Sequence, residues 1–410
     1  MSSSEWREVV LDDVVDILGD GLHGTPKYDE LGDYYFINGN NLVGKIAIDD
    51  KTKRVGYEEY VKYKKDLNDR TILISINGTL GNIAVYNGEK IVLGKSACYF
   101  NVKHDFSKEF IKYVMHSSIF KSYLNTHSSG TTIKNMGLKQ MRAFRFQVPP
   151  LPEQTAIAAT LSCLDDKIEL NNRMNKNLEE MAQAIFKSWF VDFEPFQEGE
   201  FEESELGMIP KGWRVGTIEE ISKEIVCGKT PSTKDKDNFG GDVPFITIPD
   251  MHGNVYITKT ERYLTNKGVK TQPKKTLPKN SVVVSCIATP GLVSLTSTES
   301  QTNQQINSII CKDGIEHYYI YQCMKSFSDK IKDLGSGGST TLNLNKSQFS
   351  KIKLIIPNEN SMLKYTQIIE PIFVKILENQ KKTSILIETR DTLLPKLMSG
   401  EIRVTIEEVQ

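Results

Sequence analysis

Net charge is almost missing from this sequence: 51 Lys and Arg stand against 52 Asp and Glu, a balance of −1. Taken alone this argues mildly against a partner as acidic as nucleic acid. Long apolar runs are missing too, and none approaches the roughly 20 residues that a membrane-spanning helix needs. The opening Met1-Ser2-Ser3-Ser4-Glu5-Trp6 has neither the basic flank nor the apolar stretch of a signal peptide, which predicts a cytoplasmic chain. The six cysteines (Cys98, Cys163, Cys227, Cys286, Cys311, Cys323) include no Cys-x-x-Cys pair, which speaks against a zinc site or a disulfide framework and for buried thiols. The six histidines (His23, His104, His116, His127, His252, His317) lack metal-ligand spacing, so no metal is expected.

Catalytic loops are equally scarce. Gly39 to Gly44-Lys45 has the spacing of a phosphate loop, but Ile46 stands where a Ser or Thr would hold magnesium. Gly94-Lys95-Ser96 fails five residues upstream, where Glu89 replaces the glycine. An amino-methyltransferase grips its flipped base with an Asn- or Asp-Pro-Pro-aromatic loop. The one Pro-Pro pair, Pro149-Pro150, instead follows Val148 and precedes Leu151. No glycine-rich cofactor loop stands out after a strand. The expectation is a chain with no catalytic residue that binds no cofactor.

What is present is an ordinary globular composition, 39% hydrophobic and 25% charged, over 410 residues, which suits two domains with connecting elements. Charge is unevenly spread. Residues 1–150 hold 20 basic against 18 acidic residues and residues 206–357 hold 20 against 13, whereas residues 151–205 hold 4 against 13. Positive charge sits in the two mixed regions, as expected if these meet phosphate and the connectors do not.

Self-similarity organises the chain. Trp6-Arg7 with Leu11-Asp12-Asp13-Val14 recurs as Trp213-Arg214 with Ile218-Glu219-Glu220-Ile221, an offset of 207. Gly24-Thr25-Pro26 matches Gly228-Lys229-Thr230-Pro231, and Tyr35-Phe36-Ile37-Asn38 matches Pro244-Phe245-Ile246-Thr247. The apolar run Thr71 to Ser75 pairs with Ser281 to Ser285, each entering a turn, Gly78-Thr79-Leu80-Gly81 or Ala288-Thr289-Pro290-Gly291. Ser129-Gly130-Thr131-Thr132-Ile133 matches Gly338-Ser339-Thr340-Thr341-Leu342. The chain is therefore read as a duplication.

Each half opens with short β-type runs and closes with a long helical pattern. The first helix, starting near Glu153, places Ile157, Leu164, Asn171, Leu178 and Ile185 at heptad a and Leu161, Ile168, Asn175, Ala182 and Trp189 at d. The second places Ile372, Asn379, Leu386 and Leu393 at a, with Ile369, Ile376, Thr383, Arg390 and Leu397 at d. Such seams need a partner, and the domain-helix-domain-helix order makes the pairing antiparallel. The polar seam residues Asn171 and Asn379 are expected to lie near each other, selecting register.

The loops of both halves offer donors and acceptors suited to base edges and phosphates, since Asn and Gln match adenine while Lys and Arg serve guanine and phosphate. Candidate contacts in the first half are His23, Thr25, Lys27, Asn38, Asn40, Asn41, Asn77, Thr79, Asn82, Lys95, Ser129, Thr131, Thr132 and Lys134. In the second they are Lys229, Thr230, Ser232, Thr247, Asp250, His252, Thr289, Gln304, Gln305, Ser339, Thr340 and Thr341. Asn in a turn also serves its own backbone, so each loop is a stronger candidate than any one residue in it.

The pattern resembles the specificity subunits of type I restriction-modification enzymes along essentially the whole chain. The resemblance rests on Leu151-Pro152-Glu153-Gln154 opening the first helix and Ile185-Phe186-Lys187-Ser188-Trp189-Phe190-Val191-Asp192-Phe193-Glu194-Pro195 closing it. Leu394-Pro395-Lys396-Leu397-Met398-Ser399-Gly400-Glu401 closes the second. Asn358-Glu359-Asn360-Ser361 departs from the family, which often repeats Leu-Pro-Glu-Gln there.

The resemblance implies an α+β chain with a pseudo-two-fold repeat: two similar mixed target-recognition domains separated by two long helices that form an antiparallel coiled coil. The segments are residues 1–150 (first domain), 151–195 (spacer helix), 196–357 (linker and second domain), 358–402 (second spacer helix) and 403–410 (tail). Each domain would read one half of a split double-stranded DNA site. Two modification subunits carrying S-adenosylmethionine would dock on the helices, with their acidic outer faces and the stretch from Glu194 to Glu205 available. Restriction subunits using ATP and Mg would join them. A helix from Ile157 to Trp189 spans about 50 Å, one to one-and-a-half turns of duplex. The competing expectations are a structural adaptor that bridges methyltransferase subunits without reading sequence, and a self-contained modifying enzyme with degenerate motifs.

Overall fold

The computed structural model describes residues 6–130, 133–329, 331 and 344–404. The chain forms two compact units: the first takes residues up to Asp166 and again from Ile387, and the second is the continuous stretch Lys167–Leu386. Each unit therefore holds one mixed domain and one part of each long helix.

In the first unit a four-stranded antiparallel sheet runs in the order Val15–Asp20, Ala97–Val102, Thr71–Ser75, Ile83–Val85. Beside it, Tyr34–Ile37 is flanked by Arg54–Val55 and, in parallel, by Ile91–Leu93, while Arg7–Val10 pairs with Arg145–Val148. The second unit repeats every one of these pairings. Ser222–Cys227, Ile306–Cys311, Val282–Ser285 and Val293–Thr296 form the same antiparallel order, with Tyr256–Ile257 added at the edge. Phe239–Ile246 is flanked by Arg262–Leu264 and, in parallel, by Gln301–Thr302, and Arg214–Thr217 pairs with Lys353–Ile356.

The central strands are apolar at consecutive positions because both faces are covered. Ile72 and Ile74 enter the cluster beneath the long helices whereas Leu73 enters a second cluster with Ile37, Leu42 and Ala97. Val282, Val284 and Val283 divide in the same way.

The repeat holds down to single bonds. Ser75 Oγ donates to Thr79 O (2.6 Å) and accepts from Asn82 N (2.8 Å), and Ser285 does the same with Thr289 O (2.6 Å) and Leu292 N (2.9 Å). Gly78 has φ 77° and its counterpart Ala288 has φ 65°, a left-handed conformation that only glycine adopts without strain. One expected match is corrected. Gly228 corresponds to Gly21, not Gly24: Gly21 N bonds Ala97 O (3.2 Å) and Gly228 N bonds Ile306 O (3.1 Å). A Cβ would lie 2.2 Å from Leu93 O at Gly21 and 2.1 Å from Asn303 O at Gly228, so backbone crowding demands glycine at both places.

The long helices run Leu151–Phe190 and Glu359–Met398. The first begins two residues earlier than expected, and Pro152 sits in its first turn, where no intrahelical N–H is needed. Both polar residues of its opening motif are buried. Gln154 accepts from Ser107 N (2.9 Å) and donates to Pro149 O (2.8 Å), and Glu153 pairs with Arg403 (2.7 Å). The second helix opens differently, with the Asn358 side chain capping Ser361 N at 2.9 Å.

Within the first unit Asp165 meets Arg390 at 2.9 Å, and within the second Asn171 meets Thr383 at 3.3 Å and Asn175 meets Asn379 at 2.9 Å. Numbers rise on one helix as they fall on the other, so the segments are antiparallel. Asn171 and Asn379 are both 2% exposed, yet they do not bond each other. In an antiparallel seam an a residue faces a d residue of its partner, so the two asparagines fall in neighbouring layers and each takes a polar d partner.

All the seam residues are at least half-buried: Ile157, Leu161, Ile369, Ile376 and Leu397 fully, and Leu164, Ile168, Leu178, Ile185, Trp189, Ile372, Leu386 and Leu393 partly. Toward the domains the helices also join the cores. Ile157, Ala158, Leu161, Leu397 and Met398 enter that of the first unit. Phe186, Phe190, Tyr365 and Phe373 enter that of the second, where Phe190 packs edge-on to Tyr319 and Tyr365. The acidic stretch after the first helix is structured as well. Phe201–Ser204 forms a hairpin with Gly207–Pro210, and Glu200 and Glu205 pair with Lys211 and Lys353.

Candidate nucleic-acid interface

The candidate contacts lie on loops that leave the ends of these sheets, and backbone bonds tie successive loops into one arc per unit. In the first unit Leu22 N bonds Leu93 O (2.7 Å), Gly94 N bonds Ile37 O (2.8 Å) and Ile76 N bonds Ser96 O (2.9 Å). Gly78 N bonds Lys134 O (2.9 Å) and Met136 N bonds Ile76 O (2.8 Å). The loops carrying His23, Asn38, Asn77, Lys95 and Ser129 are thus brought together. The second unit repeats four of these links, through Lys229 N to Thr302 O (2.9 Å), Asn303 N to Ile246 O (3.1 Å), Cys286 N to Gln305 O (2.8 Å) and Leu344 N to Cys286 O (2.9 Å).

Within each arc the candidates divide by what their side chains do. One group builds the loops. Asn38 accepts from Ser96 Oγ (3.0 Å), Asn41 holds Asn38 N (3.0 Å) and Ala47 O (3.0 Å), and Asn82 reaches Gly39 O (3.4 Å). Asn77 donates to Asn135 Oδ1 (3.2 Å). In the second unit Asp250 takes the place of Asn41: its Oδ2 accepts from Thr247 N (2.7 Å) and Thr247 Oγ1 (2.7 Å), and its Oδ1 from Glu261 N (2.8 Å). Gln305 accepts from Asn303 Nδ2 at 2.9 Å. In each case the side chain is engaged in holding one stretch of loop to another, and the Asn38–Asn41 and Thr247–Asp250 pairs form capping boxes.

The other group points outward. Thr25, Lys27, Asn40, Thr79, Lys95 and Ser129 are exposed, as are Lys229, Ser232, His252, Thr289 and Gln304. His23 is exposed beside Asp20, Lys134 reaches Asn125 Oδ1 (3.2 Å), and Thr230 donates to Gln304 Oε1 (2.8 Å). Equivalent positions carry different chemistry: Lys95 corresponds to Gln304, and His23 to Thr230. Thr131, Thr132, Ser339, Thr340 and Thr341 lie outside the described residues.

Three residues essential to the arcs were not singled out from sequence. Ser75 and Ser285 hold their turns, and Ser96 Oγ donates to Asn38 Oδ1 (3.0 Å) while accepting from Gly39 N (2.9 Å). The signal was there for two of them, an identical serine ending the same strand in both halves. His116 lines a cavity of about 440 Å³ below Gly81 and Asn82. Burial, aided by Lys112, pulls its pKa down to about 4, so it is neutral at physiological pH. Among the described residues no group of His, Cys, Asp and Glu is arranged to hold a metal ion, and no helix is long and apolar enough to cross a membrane.

A reading scaffold built twice and tipped with different polar groups defines a two-site specificity protein. The chain belongs to the family of the type I restriction modification DNA specificity domain, which it matches over residues 3–180 and 210–392, and its role is DNA sequence specificity. It is 37% identical over 334 residues to the type I restriction enzyme HindI specificity subunit of Haemophilus influenzae, covering 67% of this chain and 72% of that one. It is 29% identical over 344 residues to the MjaIX specificity subunit of Methanocaldococcus jannaschii, covering 82% and 78%. The S subunit of a type I restriction-modification system from M. genitalium shares the fold over 97% of both chains, with a TM-score of 0.62 at 17% identity.

Proposed function

We propose that each unit reads one half of a split double-stranded DNA site, that the helix pair sets the number of unread bases between the halves, and that the helices seat two adenine methyltransferase subunits. The chain itself contributes no catalytic residue and binds no cofactor. S-adenosylmethionine belongs to the methyltransferase, ATP and Mg belong to a restriction subunit where one joins, and the assembly works in the cytoplasm.

The observation that carries this reading is the doubled loop arc with its unlike tips. The same bonds set the same scaffold twice, while Lys95 stands where Gln304 stands and His23 where Thr230 stands. A Lys serves guanine or phosphate and a Gln serves adenine, so equal scaffolds with unequal tips read unequal half-sites. Docking of partners on the helices is supported by large apolar side chains facing solvent along them, among them Leu170, Met181, Ile368 and Val374. The relatives' names, restriction enzyme specificity subunits, agree with both parts.

The test is a map of methylated adenine across the host genome with and without the gene for this chain. Loss of one motif made of two short half-sites around a fixed gap is the expected outcome. Unchanged methylation would deny the chain a part in methylation and overturn the reading.

A further inference from the structure

The repeat breaks in charge at one segment. In the second unit this segment lies between the strands Arg262–Leu264 and Val282–Ser285, and in the first between Arg54–Val55 and Thr71–Ser75. Residues 266–279 hold five lysines, Lys267, Lys270, Lys274, Lys275 and Lys279, and no Asp or Glu occurs from Arg262 to Thr298. Residues 57–70 hold four basic residues against the four acids Glu58, Glu59, Asp66 and Asp69. Lys267 is taken by Asp235 (2.9 Å) and Asp237 (3.2 Å). Among the described residues no carboxylate pairs with the other four lysines, of which Lys270, Lys274 and Lys279 are exposed and Lys275 is half-buried.

The lysine segment is fastened to a candidate loop. Gln272, 6% exposed, donates from Nε2 to Lys229 O (2.6 Å) and to Gln301 Oε1 (2.8 Å), and the fully buried Gln301 donates to Thr276 Oγ1 (2.9 Å). Thr265 N bonds Asn238 O (3.1 Å), and Asn238 Nδ2 donates to Ser232 O (3.0 Å). The loop of Lys229, Thr230 and Ser232 is thus tied to the segment at Lys229 and, through Asn238, at Ser232. Buried amides with their bonds made hold one geometry, so the lysines beside Gln272 keep a fixed place next to that loop.

The first unit packs the same place with apolar groups, Tyr60 and Tyr63 joining Val55 and Val92. Arg70 turns inward there to the carbonyls of Val102 (2.7 Å) and Lys103 (2.8 Å), and Lys62 lies over the Tyr63 ring at 4.9 Å. Unmatched like charges repel one another in the free chain, and a duplex, with one negative charge per about 1.7 Å, relieves that repulsion. Lysine suits phosphate as a flexible point charge. We propose that the second unit anchors the complex: Lys270, Lys274 and Lys275 hold the DNA backbone beside its half-site whatever the sequence, and the equivalent segment of the first unit does not. This rests on the reading that the loops meet DNA.

The full-length chain is titrated against a mixed-sequence duplex of about 30 base pairs, and the slope of log affinity on log salt is measured between roughly 50 and 200 mM. Each phosphate contact contributes about 0.9 to that slope. The triple variant Lys270→Gln, Lys274→Gln, Lys275→Gln should therefore lower it by about 2 to 3, so that affinity falls about 16 to 64 times less across that range. Lys62→Gln, Lys64→Gln, Lys65→Gln in the first unit should lower it by less than about 1. Lys274→Glu alone should weaken binding about tenfold at roughly 50 mM salt, and it keeps the test open if the triple variant misfolds. An unchanged slope in the first triple variant, or an equal fall in both, overturns the proposal and leaves the reading of DNA intact. Loss of methyltransferase binding with an unchanged slope would give these lysines to a protein partner instead. A wild-type chain that binds no duplex overturns the reading and the proposal together.

Discussion

Ser75 and Ser285 each close a turn with a single hydroxyl that both donates and accepts, which fixes where the exposed Thr79 and Thr289 stand. The turns differ in one residue that matters to stability. Gly78 adopts φ 77° without cost, while Ala288 holds φ 65° with a Cβ in place. A left-handed alanine costs about 1–2 kcal/mol, of which glycine's greater freedom when unfolded returns about 0.5–1. Ala288→Gly should therefore stabilise the chain by up to about 1 kcal/mol, and Gly78→Ala should destabilise it by a similar amount, both read from urea denaturation. Equal and opposite shifts would show two equivalent turns. A loss on Ala288→Gly would mean that the alanine methyl makes a contact worth more than the strain.

The helices carry a different lesson, because their specificity lies in a polar layer. Asn175 accepts from Asn379 Nδ2 at 2.9 Å and donates to Ile376 O at 3.4 Å. Asn175→Leu alone strands the buried Asn379 amide and should cost about 1–3 kcal/mol, whereas Asn175→Leu with Asn379→Leu should recover most of that loss. A double-mutant cycle in thermal denaturation checks this, and additive losses would show that the two side chains do not act as a pair. The layer also marks how far sequence could be read. The heptads gave away two long helices and their buried positions, since periodicity is a property of one helix. Which asparagine meets which was not legible, because an antiparallel seam layers a on d and that offset belongs to the pair. In the domains the strand runs and the serine turns were visible twice over, yet Gly24 attracted the match that belongs to Gly21. Only the tertiary crowding by Leu93 O distinguishes them. That the candidate loops are neighbours of one another followed from no sequence rule: the repeat named them, and the backbone bonds between Gly78 and Lys134 or Gly94 and Ile37 are what join them.

For the molecule as a whole, the helix pair as a spacer makes a quantitative demand. Removing one heptad from each long helix keeps the seam facing its partner and shortens the pair by about 10 Å, or roughly three base pairs of duplex. Methylation in cells carrying this variant should move to sites with a gap about three base pairs shorter and unchanged half-sites. An unchanged gap would deny the helices that role.

The first unit is also closed by two distant parts of the chain. Glu153, Ile157 and Leu161 wait for Leu393, Leu397 and Arg403, while the second unit is one continuous stretch between them. On the ribosome, the intervening 167–386 must be made first, which at about 5–20 residues per second takes roughly ten to forty seconds. Through that interval the nascent first unit shows an apolar stripe, and Glu153 lacks its arginine. Its assembly is thus timed by the completion of the other unit, so a premature stop before Ile387 yields one finished reading domain and one that aggregates or is degraded.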